Sequence, residues 1–370
     1  MNSNKKQSVR AGIRFVAMAL LVLLLTELLV QACNYLVVDD SKSYTRLTMH
    51  ELYETKEPID TLFLGSSHCF RAYDPQLFTE LTGKTAFNLG SSSQNYDTSY
   101  YLLREALRTH EIKTVYLDMH YKFLFVDKND RDLVQANIIS DYMKPSGNKL
   151  EFLTRTAELS QLTNRIFPFR RDWEKLGDLS YLKEVWKNKQ TTAYRNYEPV
   201  VLEQERYAGK GFVYSEEELD AEAITWWENF GRVEEDMNST VTYTLSYLKR
   251  IVNLCREENI RLIFVTAPSF EKYLKVIGPY DVAHAYIRDL ADQYGVPYLD
   301  FNLCRKEYLS LGEESFLDVD HLNGKGAVTL TGLLAELDSG LCSGKVNIDE
   351  YFNPWYDEKS AESASGQTVP

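Results

Sequence analysis

Cysteine is scarce in this 370-residue chain: five residues, at 33, 69, 255, 304 and 342, in an odd number and without tight spacing. That pattern is not a disulfide framework and leaves free thiols as the default. No glycine-rich phosphate loop of the P-loop or dinucleotide type occurs, so nucleotide chemistry has no support and no cofactor is expected. Positive charge is in deficit, with 41 Lys and Arg against 54 Asp and Glu, a net charge of −13. Such a balance argues against a nucleic-acid binder, which needs a basic footprint. His68, Asp118, His120, Asp320 and His321 could converge as metal ligands, but their spacing matches no specific ligand motif, and no metal is expected.

What is present begins with one long apolar run. Lys5, Lys6, Arg10 and Arg14 precede it, and it extends from Phe15 to Val30, close to bilayer-spanning length if it continues through Ala32 and Leu36–Val38. Cations on the leading side place residues 1–14 in the cytoplasm, a transmembrane segment over 15–38, and everything after it outside. No small-x-small cleavage site stands out, which favours an uncleaved, single-pass signal anchor in the cell membrane. Residues 29–33 are a poor lipoprotein site because of Gln31. Glu27, costly against lipid, belongs near the outer interface.

After a linker at 39–58, short apolar runs bounded by turn residues alternate with helical patterns, the rhythm of a parallel sheet in an α/β fold. The chain, 44% hydrophobic, is long enough to bury a large core. Strands are expected at 61–64, 85–89, 114–119, 261–266 and 297–301. Helices are expected at 98–109, capped by Asp97 or Thr98, at about 240–257, at 281–294 closed by Gly295, and at 325–337. The domain thus runs over 39–122 and 238–342. Residues 123–237 interrupt it with a mostly helical, aromatic-rich insertion between strands three and four, read as a cap on the sheet whose rings could also stack on sugars. These rings are Phe167, Phe169, Trp173, Trp186, Tyr194, Tyr197, Tyr207, Phe212, Tyr214, Trp226, Trp227 and Phe230. Residues 343–370 form a polar tail.

Two short motifs carry the chemistry. Strand one runs into Gly65-Ser66-Ser67, and some 250 residues later Asp318-Val319-Asp320-His321-Leu322-Asn323 precedes a glycine-rich helix start. A serine hydroxyl is a poor nucleophile at neutral pH. It needs an imidazole to take its proton and a carboxylate to hold that imidazole in one tautomer. An Asp three residues before a His reaches the ring nitrogen facing away from the serine, whereas the adjacent Asp320 is expected to point elsewhere. Either motif alone is common, and Asp320 or Asn323 could simply cap the next helix. Their conjunction, in the order Ser67…Asp318…His321 and at the ends of strands or starts of helices, makes the catalytic reading the stronger one.

These residues resemble the SGNH (GDSL-like) hydrolase and acyltransferase family over roughly 61–122 and 260–338. Leu64-Gly65-Ser66-Ser67 matches its first block, with Ser66 where an Asp is usual; Asn88-Leu89-Gly90-Ser91-Ser92-Ser93 matches the second, with Ser93 where a Gly is usual; and Asp318, His321, Leu322 and Asn323 match the last. The third block, Gly-x-Asn-Asp, is missing, and the third strand ends instead in His120-Tyr121-Lys122. The resemblance implies a three-layer α/β/α fold with a five-stranded, mostly parallel sheet, Ser67 as nucleophile, and an oxyanion site from the N–H groups of Ser67 and Ser93. Gly90 and His68 would border the pocket, and His120, Tyr121 or Lys122 would replace the missing Asn. The Gly-Ser-Ser block and the lost Asn look most like the membrane-anchored branch that includes the D-alanyl-transfer protein of the Dlt system and polysaccharide O-acetylation proteins. That branch implies acyl transfer to a cell-surface glycan or teichoic acid with a multi-pass membrane O-acyltransferase as partner. A deacylating esterase and a degenerate binding scaffold are the alternatives.

Overall fold

A computed structural model describes residues 2–356 apart from 129, 132, 238–241 and 344–345. Most of the polar tail expected over 343–370, and the side chain of Cys342, lie outside the described residues. The chain divides into two compact units, one of Tyr44–Thr156 with Pro199–Pro370 and one of Met1–Ser43 with Ala157–Glu198.

The first of these contains a five-stranded sheet: β1 (Thr61–Leu64), β2 (Ala86–Asn88), β3 (Thr114–Asp118), β6 (Arg261–Thr266) and β7 (Tyr298–Asp300). Its order is β2-β1-β3-β6-β7 and every pairing is parallel. These strands read as apolar runs because both faces are covered. Leu62, Phe63, Leu64, Val115, Tyr116 and Leu117 are wholly buried, and the Phe63 ring lies between those of Tyr73 and Tyr116, at 5.2 and 5.3 Å. From β1 the chain steps outward to β2 and then back across β1 to β3, and the right-handed rule for parallel crossovers sends the two connections to opposite faces. The reversal opens a crevice at the carboxyl ends of β1 and β3, where open α/β sheets bind ligands. The helix Pro75–Thr82 packs against Gly324–Ser343, while Tyr96–Ala106 packs against Thr242–Glu257. The three-layer α/β class read from the sequence is the fold observed.

Several local readings are revised. The expected linker at 39–58 contains a helix, Tyr44–Glu54, that buries Leu47, Met49 and Leu52. The helix after β2 begins at Tyr96, so Asp97 is inside its first turn; it is buried and paired with Arg131 and the Tyr243 hydroxyl instead of capping. Gly295 closes Tyr280–Tyr294 in the left-handed conformation, as expected. The segment between β3 and β6 is mostly helical but also holds an antiparallel hairpin, β4 (Glu205–Gly209) and β5 (Phe212–Ser215). At its turn, the carbonyl of Lys210 accepts the N–H of Asn88 at 2.9 Å. Gly211, at φ +83°, backs so closely onto the Asn88 carbonyl that any Cβ would collide with it.

The second unit is built on the helix Asn2–Val37, whose stretch Gly12–Val37 is long and apolar enough to cross a membrane. With it belong the helix Leu159–Ile166, the 3-10 stretch Pro168–Gly177, and the helices Leu179–Gln190 and Thr192–Arg195. Of the insertion's aromatic residues, Phe167, Phe169, Trp173, Trp186, Tyr194 and Tyr197 therefore group with the N-terminal helix, and the rest with the sheet.

Candidate active site

β1 ends at Leu64, and the chain turns through Gly65 and Ser66 into the helix Ser67–Ala72. Only glycine fits at 65, because a Cβ there would strike the Cβ of Asp118 at the end of β3. Ser66 caps the helix by accepting the His68 N–H, at 3.4 Å. Ser67 is thus the first helical residue, its N–H without an intrahelical acceptor and its side chain half-buried at the carboxyl end of the sheet.

Asn88 holds this turn from below. Its amide donates to the carbonyls of Cys69 and Tyr73, at 2.9 and 3.0 Å, and its side-chain oxygen accepts the Gly90 N–H at 2.9 Å. That bond occupies the Gly90 N–H, so Gly90 lines the site by close packing rather than as an oxyanion donor. Cys69 is buried beneath the turn, and burial raises its thiol pKa well above the usual range. Cys33, Cys69, Cys255 and Cys304 are all free.

The far loop is closed by Asn323. Its amide donates to the carbonyls of Glu217 and Glu314, both at 2.8 Å, and its oxygen accepts the N–H groups of Lys325 and Gly326 at 3.0 and 3.1 Å. Capping is thereby the work of Asn323, and Asp318 and His321 are left to face the serine. Ser67 Oγ lies 2.7 Å from His321 Nε2. The two Asp318 oxygens each lie 2.9 Å from Nδ1 of the same ring. Asp318 also accepts the backbone N–H groups of Asp320 and His321, at 2.8 and 2.9 Å. Burial works against its ionisation, but His321 and these bonds lower its pKa. The carboxylate fixes the proton on Nδ1, which leaves Nε2 free to accept from Ser67.

Behind this row stands a second one. The rings of His321 and His68 stack at 4.4 Å, and those of His68 and His120 at 4.0 Å. Asp320 Oδ2 faces His68 Nε2 at 3.3 Å and His120 Nε2 at 3.5 Å, and Oδ1 accepts the Ser269 hydroxyl at 2.6 Å. The Ser66 hydroxyl donates to Asp118 Oδ2, at 3.1 Å, and lies 3.0 Å from His68 Nδ1. Burial, helped by the neighbouring His120, lowers the His68 pKa to about 4, so this ring is uncharged at neutral pH. Burial opposes ionisation of Asp320, but the two flanking imidazoles hold its carboxyl well below the usual range. His68, His120 and Asp320 bring three ligand-type atoms within 4.8 Å of one another. The planes of the two stacked rings lie 22° apart, and both Nε2 atoms face the same Asp320 oxygen.

The third-strand candidates separate. β3 stops at Asp118, so His120 and Tyr121 do not alternate as strand residues would; His120 precedes the one-turn helix Tyr121–Leu124 and stacks on Tyr121 at 5.2 Å. Lys122 Nζ donates to the Tyr273 hydroxyl at 2.9 Å. Only His120 joins the row that reaches His321. Ser93 takes a left-handed conformation, φ +48°, where glycine fits more easily. Nothing in the sequence singles out Ser269, which also lines a cleft of about 570 Å³ bordered by Lys275, Tyr280, Asn302 and Trp355. Neither Ser67 nor His321 borders that cleft.

No family model matches this chain, and no curated protein does. Among solved structures it is similar to a GDSL-like lipase from Bacteroides thetaiotaomicron, 8% identical, with a TM-score of 0.34 over 81% of this chain and 99% of that one. It is also similar to a protein from Bacteroides fragilis, provisionally described as an acylhydrolase, 9% identical, with a TM-score of 0.34 over 79% of this chain and 94% of that one. Likenesses this distant carry no argument about chemistry, and the fold stands on its own topology.

Proposed function

We propose that this protein is a membrane-anchored serine acyl-transfer enzyme whose nucleophile is Ser67. The observation that carries the reading is the unbroken Ser67–His321–Asp318 hydrogen-bonded row, with 2.7 Å at the serine and 2.9 Å at the carboxylate. Ser67 Oγ attacks an acyl carbonyl while His321 Nε2 takes its proton and Asp318 stabilises the imidazolium that forms. The N–H groups of Ser67 and Ser93 receive the oxyanion. His68, stacked on His321, is uncharged and so does not oppose that imidazolium with a second cation. His321 then returns the proton to the leaving oxygen, and an acceptor hydroxyl collects the acyl group from the serine ester.

The acceptor we assign is a hydroxyl of a cell-surface polysaccharide or teichoic acid. The half-exposed Ser67 and His321 suit a polymer that approaches from solvent. The N-terminal helix anchors the chain with its basic end in the cytoplasm and the catalytic unit outside, beside a multi-pass O-acyltransferase that delivers the acyl group. An esterase of the same site would pass the acyl group to water.

The test is covalent labelling of the full chain in detergent by a fluorophosphonate. Labelling is expected in the wild type and lost in Ser67→Ala, together with several orders of magnitude in turnover of an activated acetyl ester. Acetyl groups recovered on added teichoic acid or polysaccharide favour transfer, and free acetate alone favours the esterase. A wild-type chain that neither labels nor turns over is a scaffold, and the proposal fails.

A further inference from the structure

We propose that residues 159–190 lie on the bilayer surface, with their exposed apolar side chains seated at headgroup level in the leaflet where the N-terminal helix ends. This rests on reading that helix as a membrane span. A hydrocarbon core of about 30 Å takes roughly 20 helical residues at 1.5 Å each. Counted from Ile13, where exposed apolar residues begin, the core ends near Ala32, and the last turn, 33–37, emerges among headgroups.

That turn is where the segment is fastened. The Phe169 N–H donates to Asn34 Oδ1, the Tyr181 hydroxyl to the Val37 carbonyl, and the Gln190 amide to the Tyr35 hydroxyl, each at 2.9 Å. Lys189 Nζ lies over the Tyr35 ring and pairs with Asp40 at 2.9 Å. Depth is therefore set by the fold of this unit: whatever these residues carry is held beside the point where the span leaves the lipid.

They carry an amphipathic surface. Leu159 is 84% exposed, Leu179 80%, Trp173 66% and Trp186 51%. Large apolar side chains gathered in one short segment mark an interaction site rather than ordinary surface. Tryptophan suits the interface, since its ring is apolar and its N–H needs water or a headgroup oxygen. Residues 159–190 also hold seven Lys and Arg against four Asp and Glu, within a chain whose net charge is −13. Arg170, Arg171 and Lys175 flank Trp173, and such long cationic side chains reach lipid phosphates while their stems cover apolar surface.

The experiment reconstitutes the full chain in vesicles of phosphatidylcholine and phosphatidylglycerol and takes the emission of Trp173 as the difference between wild type and Trp173→Phe. That emission is expected to be lost when the lipids carry bromine near the headgroup, and to resist aqueous acrylamide. Ready quenching by acrylamide with no response to brominated lipid overturns the proposal. Protection from both quenchers overturns it too, because a second copy of this chain then covers the face. Leu21→Trp, in the middle of the span, reports the underlying reading separately. If its emission is lost to bromine at the bilayer centre while Trp173 stays in water, only the surface reading fails; if it too ignores lipid, the span itself fails and the proposal with it.

Discussion

Two acids, two residues apart on one loop, meet imidazoles under opposite conditions. Asp318 is half exposed, holds His321 through two 2.9 Å contacts, and leaves the other ring nitrogen on a serine at the surface. Asp320 turns inward between His68 and His120, neither of which reaches solvent or a nucleophile. Residue types are shared, so the difference lies in burial and in what stands at the far nitrogen. A carboxylate–imidazole pair becomes a proton shuttle only when the second nitrogen faces a group that must change its proton. Otherwise it is a packed polar core, and its removal costs stability.

The contrast is broken most severely at Asp318. Asp318→Asn removes the carboxylate that fixes the His321 tautomer and is expected to lower turnover about 10⁴-fold with little change in the unfolding midpoint. Asp320→Ala is expected to do the reverse, losing about 1–3 kcal/mol of stability in urea unfolding while fluorophosphonate labelling of Ser67 persists. The opposite ranking would exchange the roles of the two acids.

Acid sharpens the comparison further. The His68 pKa is lowered from 6.5 to about 4 in the folded chain, so between those values the unfolded chain binds a proton that the folded one refuses. Stability is then complete above about pH 6.5 and declines as the pH falls toward 4, by a total on the order of 3 kcal/mol. Asp320, also depressed, adds its own loss only below that window. Urea titrations at several pH values are expected to show this slope in the wild type and a flatter one in His68→Gln; equal slopes would mean that His68 is not the buried neutral group. The smallest effect is expected at Ser93, where Ser93→Gly relieves a left-handed serine and shifts stability by less than about 1 kcal/mol while labelling persists. A large loss of labelling there would show that the Ser93 side chain, not its N–H, serves the site.

The sheet was legible because strands buried on both faces are written as short apolar runs, and the Ser67–His321–Asp318 row because its motifs are local. Asp318 and His321 sit three apart, and Ser67 follows a strand. The inner row was legible only as a set of groups that could converge, His68, Asp118, His120, Asp320 and His321, and not as two stacked rings sharing the Asp320 carboxylate. It exists only because β1 and β3 end side by side, which brings His68, His120 and Asp320 together from three distant segments. The helix Tyr44–Glu54 escaped notice because its apolar positions are few and its buried face includes Arg46 and Thr48. Asp97 looked like a cap because a carboxylate at a helix start usually is one; the partner that draws it inward, Arg131, lies 34 residues away.

The turn at Lys210-Gly211 has a meaning beyond local packing. β2 is an outer strand of the sheet, and an uncovered outer strand is a template on which another chain can add. By taking the Asn88 N–H and pressing Gly211 onto the Asn88 carbonyl, the hairpin shuts that template at the end nearest the nucleophile. The hairpin is thus part of what keeps this edge from accepting another strand, and deleting it is expected to favour aggregation through the sheet.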